Sequence, residues 1–109
     1  MLEQLFGSQS REKVLIYLLI RTDGYAREIA RFFDIDLTPI QKQLERLELG
    51  NIIYCRKIGR TKLYSFNPRY PFLNELKTLL EKAFSFYPTE IRNDLLKNRR
   101  RPRRAGKPI

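Results

Sequence analysis

Residues 25–52, YAREIARFFDIDLTPIQKQLERLELGNI, hold two apolar runs at helical spacing on either side of an acidic corner, Asp34-Ile35-Asp36. The first run predicts a helix over about Ala26 to Phe33, with Ile29, Ala30 and Phe33 on one side and Arg27, Glu28 and Arg31 toward solvent. So short a helix needs tertiary support. Aspartate tolerates the left-handed backbone better than most residues other than glycine, so Asp34 can turn the chain, Ile35 can point inward and Asp36 can cap the next helix. The second run predicts a helix from about Leu37 to Leu49, with Leu37, Ile40, Leu44 and Leu47 as its inner stripe. Pro39 is tolerated in the first turn, where its missing N–H has no intrahelical partner, and Gly50 suits the C-terminal cap.

Upstream, Ser8 or Ser10 can cap a helix through REKVLIYLLI, with Val14, Leu15, Leu18 and Leu19 as a buried face and Thr22-Asp23-Gly24 as its stop. Downstream, IIYCRK and KLYSF are rich in β-branched and aromatic residues and flank IGRT, where Gly59 can supply positive φ. That pattern is a two-stranded ribbon, closed off by NPRYP. Phe72, Leu73, Leu76, Leu79, Leu80, Ala83 and Phe84 then repeat as a helical stripe until Pro88, and a weak helix over about Thr89 to Leu96 leads into KNRRRPRRAGKPI. The expected class is mainly α with a small β-hairpin (α+β), divided into 1–70, a C-terminal helical segment at 71–96, and a basic tail at 97–109.

Helix, helix, tight turn, helix and hairpin is the order of a winged helix-turn-helix, which braces its third helix so that the outer face can enter a DNA major groove. The blocks LFGSQSREKVLIYLL, AREIARFF, TPIQKQLERLELGNI and KIGRTKLYSFNP, covering about residues 2–70 in order, resemble small prokaryotic winged-helix regulators of the ArsR/MarR-like superfamily. The resemblance implies a sequence-specific regulator of double-stranded DNA, usually a homodimer, with the helix from Leu37 as reader and the hairpin as wing. Asp34 stands where such relatives usually have glycine. The metal-sensing branch needs cysteine or histidine ligands, and this chain has one cysteine and no histidine.

Charge points the same way. The 109 residues carry 22 Lys and Arg against 12 Asp and Glu, a net +10 that favours acidic partners. Seven of the basic residues and none of the acids lie in 97–109, which leaves 1–96 with a surplus of only +3. One cysteine and no histidine exclude disulfide frameworks, Cys/His metal clusters and His-based triads within one chain. The longest apolar run, VLIYLLI, is far short of a membrane span and the N-terminus lacks a signal peptide's basic flank, so a cytoplasmic setting without membrane, metal or cofactor is expected. No glycine-rich phosphate loop or paired nucleophile and base is visible, so an enzyme is not expected.

On the expected reader helix, Thr38, Gln41, Lys42 and Arg46 lie off the apolar stripe. Glutamine can pair with adenine and lysine with guanine, and the Thr38 hydroxyl can reach phosphate; an ordinary solvated face, with Arg46 paired to Glu45 or Glu48, is the alternative. The wing offers Arg56, Lys57, Arg60 and Lys62 for backbone or minor groove, although a charged edge also deters aggregation. Arg27 and Arg31 are candidates for backbone positioning. Arg99, Arg100, Arg101, Arg103, Arg104 and Lys107 suit non-specific phosphate contact, or serve only solubility. The stripe Phe72, Leu73, Leu76, Leu79, Leu80, Ala83 and Phe84 either completes the core or pairs with a second copy, with reader helices about 34 Å apart. Tyr17, Tyr25, Tyr54 and Tyr64 are expected at the core edge, and Cys55 as a buried filler. Two other classes fit the same residues: a protein-interaction adaptor or DNA-binding partner of a separate enzyme chain, and a structured-RNA binder.

Overall fold

The computed structural model describes residues 1–97; the tail residues Arg99, Arg100, Arg101, Arg103, Arg104 and Lys107 lie outside the described residues. A single turn, α1 (Glu3–Phe6), precedes α2 (Gln9–Arg21). Ser8 caps α2, its Oγ accepting from the Arg11 amide at 3.2 Å. The whole run Val14 to Leu18 is buried, Ile16 and Tyr17 included, because the other five helices of the described residues all pack around this one. Tyr17 is therefore interior rather than at the core edge.

The chain leaves α2 through Thr22 at φ 76° and enters a three-residue strand, β1 (Asp23–Tyr25). Three elements come next: α3 (Ala26–Phe33), α4 (Leu37–Leu49) and the hairpin of β2 (Ile53–Ile58) and β3 (Thr61–Phe66). The sheet is antiparallel with order β1-β3-β2, Gly24 opposite Tyr64 and Cys55 opposite Tyr64. Gly59, at φ 62°, opens the two-residue hairpin loop, where a primed turn needs positive φ.

The corner between α3 and α4 forms as its residues dictate. Asp34 takes the left-handed conformation at φ 54° and ψ 52°, and the Ile35 amide bonds back to the Ala30 carbonyl at 3.0 Å, closing α3 in the Schellman manner. One expectation fails here. Asp36 begins α4 but its side chain makes no capping bond. A capping carboxylate takes its hydrogen bond from the second or third helical amide, and the third residue is Pro39, which has none. At the other end Gly50 sits at φ −82°, and it is Asn51, at φ 61°, that turns the chain.

Of the inner stripe of α4, Ile40, Leu44 and Leu47 are buried and Leu37 half-buried. Gln43 is buried with them, its Oε1 accepting from the half-buried Arg11 Nε at 2.9 Å, so a polar tie locks α4 to α2 at the edge of the core. The last two helices, α5 (Leu73–Ser85) and α6 (Thr89–Lys97), close the far side. Leu80 and Ala83 are buried in the chain's own core, which removes both from the surface open to a second copy. Leu73, Leu76, Leu79 and Phe84 are half-buried, and Phe72 is 62% exposed.

Two polar groups hold the C-terminal helices to α2. Arg21 donates to backbone carbonyls at the end of α6. Glu12, 3% exposed, accepts from the Leu2 amide at 2.6 Å and from the Tyr87 hydroxyl at 2.6 Å. Burial first, and the bond to Glu12 second, hold the Tyr87 phenol well above the ordinary tyrosine range. A group whose pKa is raised by folding lends stability below its unfolded value of 10.0, and that stability is lost as pH rises beyond it. The melting temperature is therefore expected to fall above about pH 10, and less steeply in Tyr87→Phe, which thermal denaturation across about pH 9–12 checks.

Candidate nucleic-acid interface

A polar outer face on α4 is the geometric consequence of burying Ile40, Leu44 and Leu47. Thr38, Gln41, Lys42, Glu45 and Arg46 are all exposed. Across from this face stands the hairpin, and a groove of about 320 Å³ runs between them. It is lined by Arg27 at the start of α3, Gln41 and Glu45 on α4, and Arg60, Thr61 and Lys62 at the hairpin tip. Three separate elements thus bring cations and amide groups to one open channel. Arg31, one turn beyond Arg27, is exposed but does not line the groove. Among the described residues Arg46 makes no ion pair with Glu45 or Glu48, so the intrahelical alternative does not form.

The hairpin cations do not act as a single patch. Strand alternation puts Arg56 on the face opposite to Lys57, and its Nη2 lies 3.9 Å from Asp23 Oδ2, which ties it back to the sheet. Lys57 and Lys62 stand directly opposite each other in the register, both exposed. Like charges so placed destabilise a ribbon. An anion between them would relieve that repulsion, which gives the pair a functional reading that an anti-aggregation edge alone does not require. Lys57→Thr is expected to stabilise the fold by about 0.5 kcal/mol while weakening polyanion binding, a divergence that thermal melts and duplex titrations measure together.

Sequence reasoning missed Glu45 and Thr61, because a groove is a property of two elements and neither residue stands out in its own. Glu45 adds a hydrogen-bond acceptor to a channel otherwise lined by cations, hydroxyls and an amide. Cys55 is half-buried rather than a core filler. Its thiol donates to Glu48 Oε2 at 3.3 Å, and burial, reinforced by that carboxylate, pushes its pKa up, away from the reactive thiolate. Among the described residues no group of three or more Cys, Asp or Glu is placed to hold a metal ion, and no helix is long and apolar enough to cross a membrane.

No protein-family model matches the chain, and no curated protein matches it either. Solved structures do. Reduced HlyU from Vibrio cholerae N16961 is similar at a TM-score of 0.59 and 16% identity, covering 79% of this chain and 84% of its own. A double mutant of Lactococcus lactis ZitR in apo form is similar at 0.55 and 20% identity, covering 88% and 81%. A further structure of the ZitR mutant gives 0.52 and 18%, covering 83% and 69%. The fold is a winged helix. In its terms α3 and α4 are the helix-turn-helix, the β2–β3 hairpin is the wing, and the groove lined by Arg27, Gln41 and Arg60 lies between α4 and the wing. The expected α+β class with a single small hairpin is extended by one strand, β1, which makes the sheet three-stranded.

Proposed function

We propose that this chain is a transcription regulator that binds double-stranded DNA in a sequence-specific manner as a homodimer. Its α4 enters the major groove, and the wing engages backbone or minor groove. The observation that carries the reading is that Gln41 and Lys42 face solvent on α4 while the wing cations Arg60 and Lys62 and the α3 residue Arg27 line one channel with Gln41; Lys42 lies outside that channel. Gln41 pairs with adenine and Lys42 with guanine; Thr38, Arg27 and Arg31 take phosphates, and Arg46 extends the contact along the helix. Lys57 and Lys62 clamp a phosphate across the ribbon. Phe72, with the half-buried Leu73, Leu76, Leu79 and Phe84, supplies the apolar surface for the second copy. The tail arginines add sequence-independent affinity.

Selection from a random duplex library, followed by salt-dependent binding, tests this reading. The wild type is expected to enrich a palindromic site and to sediment as a dimer. Lys42→Ala is expected to lose about tenfold in affinity, confined to one base position per half-site. A chain ending at Lys97 is expected to weaken every duplex alike and to flatten the salt slope by about 0.9 for each phosphate that the tail no longer neutralises. Absence of any enriched sequence, or equal competition by double-stranded RNA, would sink the assignment, since a helix cannot enter the narrow RNA major groove.

A further inference from the structure

Glu45 stands in the groove between α4 and the wing, on the same channel as Arg27, Arg60 and Lys62. A carboxylate in a groove that meets a polyanion repels phosphate, so by charge alone it opposes the binding that the cations favour. No partner within the described residues accounts for it: the side chain is exposed, and its carboxylate makes no hydrogen bond or ion pair there, with Arg46 or with the groove cations. Thr61, which also lines the groove, donates its hydroxyl to the Ile58 carbonyl at 2.7 Å, and Tyr64 is buried. The α4 side of the channel is formed by Gln41 and Glu45, four residues and therefore about 6 Å apart along one helix face.

The base edges of a major groove decide what such an acid can read. An ionised carboxylate only accepts hydrogen bonds. Guanine presents the acceptors N7 and O6 there, thymine presents O4, and adenine sets its N7 acceptor beside its amino group, so each of the three turns a lone pair toward a carboxylate. Cytosine presents its N4 amino group with no acceptor of its own beside it. We infer that Glu45 is a specificity-determining residue, which accepts from the N4 amino group of a cytosine and repels duplexes that carry another base at that position. Arg60 and Lys62 hold phosphates across the groove, so affinity is kept while the acid discriminates. With base pairs stacked about 3.4 Å apart, the separation along α4 puts this cytosine one or two base pairs from the adenine taken by Gln41. The inference rests on the duplex-binding reading above and adds a second base position to it.

Selection from a random duplex library with the full chain, run in parallel for wild type, Glu45→Gln and Arg60→Gln, tests it, followed by anisotropy titration of the selected site and its single-base replacements. The wild type is expected to prefer cytosine about tenfold or more at one position per half-site. Glu45→Gln is expected to lose that preference at this position alone, and to bind the replaced duplexes about threefold to tenfold more tightly than the wild type does, because the repulsion is gone. Arg60→Gln, in the same groove, is expected to weaken every duplex alike and to keep the cytosine preference. Both variants change an exposed side chain, and unchanged melting temperatures establish that they fold. A wild-type site whose base profile survives Glu45→Gln, a base other than cytosine at the affected position, or a loss spread evenly over all duplexes would overturn this inference and leave the regulator assignment standing. No enriched site for the wild type would overturn both.

Discussion

Arg21→Met is expected to lower the unfolding free energy by about 3 kcal/mol, a large fraction of what a chain of this size possesses. Arg21 is 9% exposed at the end of α2. Its Nε donates to the Leu95 carbonyl at 3.1 Å, its Nη2 to the Asp94 carbonyl at 3.1 Å and its Nη1 to the Tyr17 hydroxyl at 3.0 Å. Those two carbonyls belong to the last described turn of α6, so the guanidinium ties that helix to α2. The guanidinium carbon also sits 5.0 Å from the Tyr17 ring centroid and 5.1 Å from that of Phe32. Methionine preserves much of the length and apolar contact, so the loss reports the guanidinium itself. Arg21→Lys is expected to recover less than half, because one ammonium cannot match a fork aimed at three acceptors. Urea denaturation of both variants decides the point, and a loss below about 0.5 kcal/mol in Arg21→Met would contradict it.

Gly24→Ala is expected to cost about 2 kcal/mol, for a reason unrelated to backbone freedom. Gly24 is not at positive φ. A Cβ there would stand 2.7 Å from Cε1 of Tyr17 and 3.0 Å from its Cδ1. That ring is wholly buried and its hydroxyl is held by Arg21, so it has little room to withdraw. Strand β1 lies against α2 at this point only because the side chain is absent. Tyr17→Leu removes the obstructing ring, and in that background Gly24→Ala is expected to be markedly less damaging than in the wild type. Comparing urea midpoints across the four proteins measures this coupling; simple additivity would refute the steric account.

The elements that can be read from sequence are those punctuated by local chemistry. The expected and observed limits of α3 and α4 coincide, because Asp34 turns left-handed and the chain turns again at Gly50-Asn51. The hairpin is visible through its β-rich runs and Gly59. The features that escape are tertiary in origin. Asp23-Gly24-Tyr25 has little strand propensity and becomes a strand only because β3 lies beside it. Arg21 and Gln43 look like surface residues at helical spacing, yet each is buried because a partner far along the chain satisfies it. The outward face of α4 can be inferred from its apolar complement. That Arg56 would turn to Asp23 while Lys57 and Lys62 met across the ribbon cannot, since register is set by pairing rather than composition.

The central placement of α2 governs how the molecule opens. With Val14 through Leu18 enclosed by five other helices, the amide protons of this segment reach solvent only when the whole structure comes apart. The hairpin tip lies at the periphery and can exchange by local fraying. The hairpin tip therefore moves against a centre that stays closed until global unfolding, and hydrogen–deuterium exchange should divide the chain along that line.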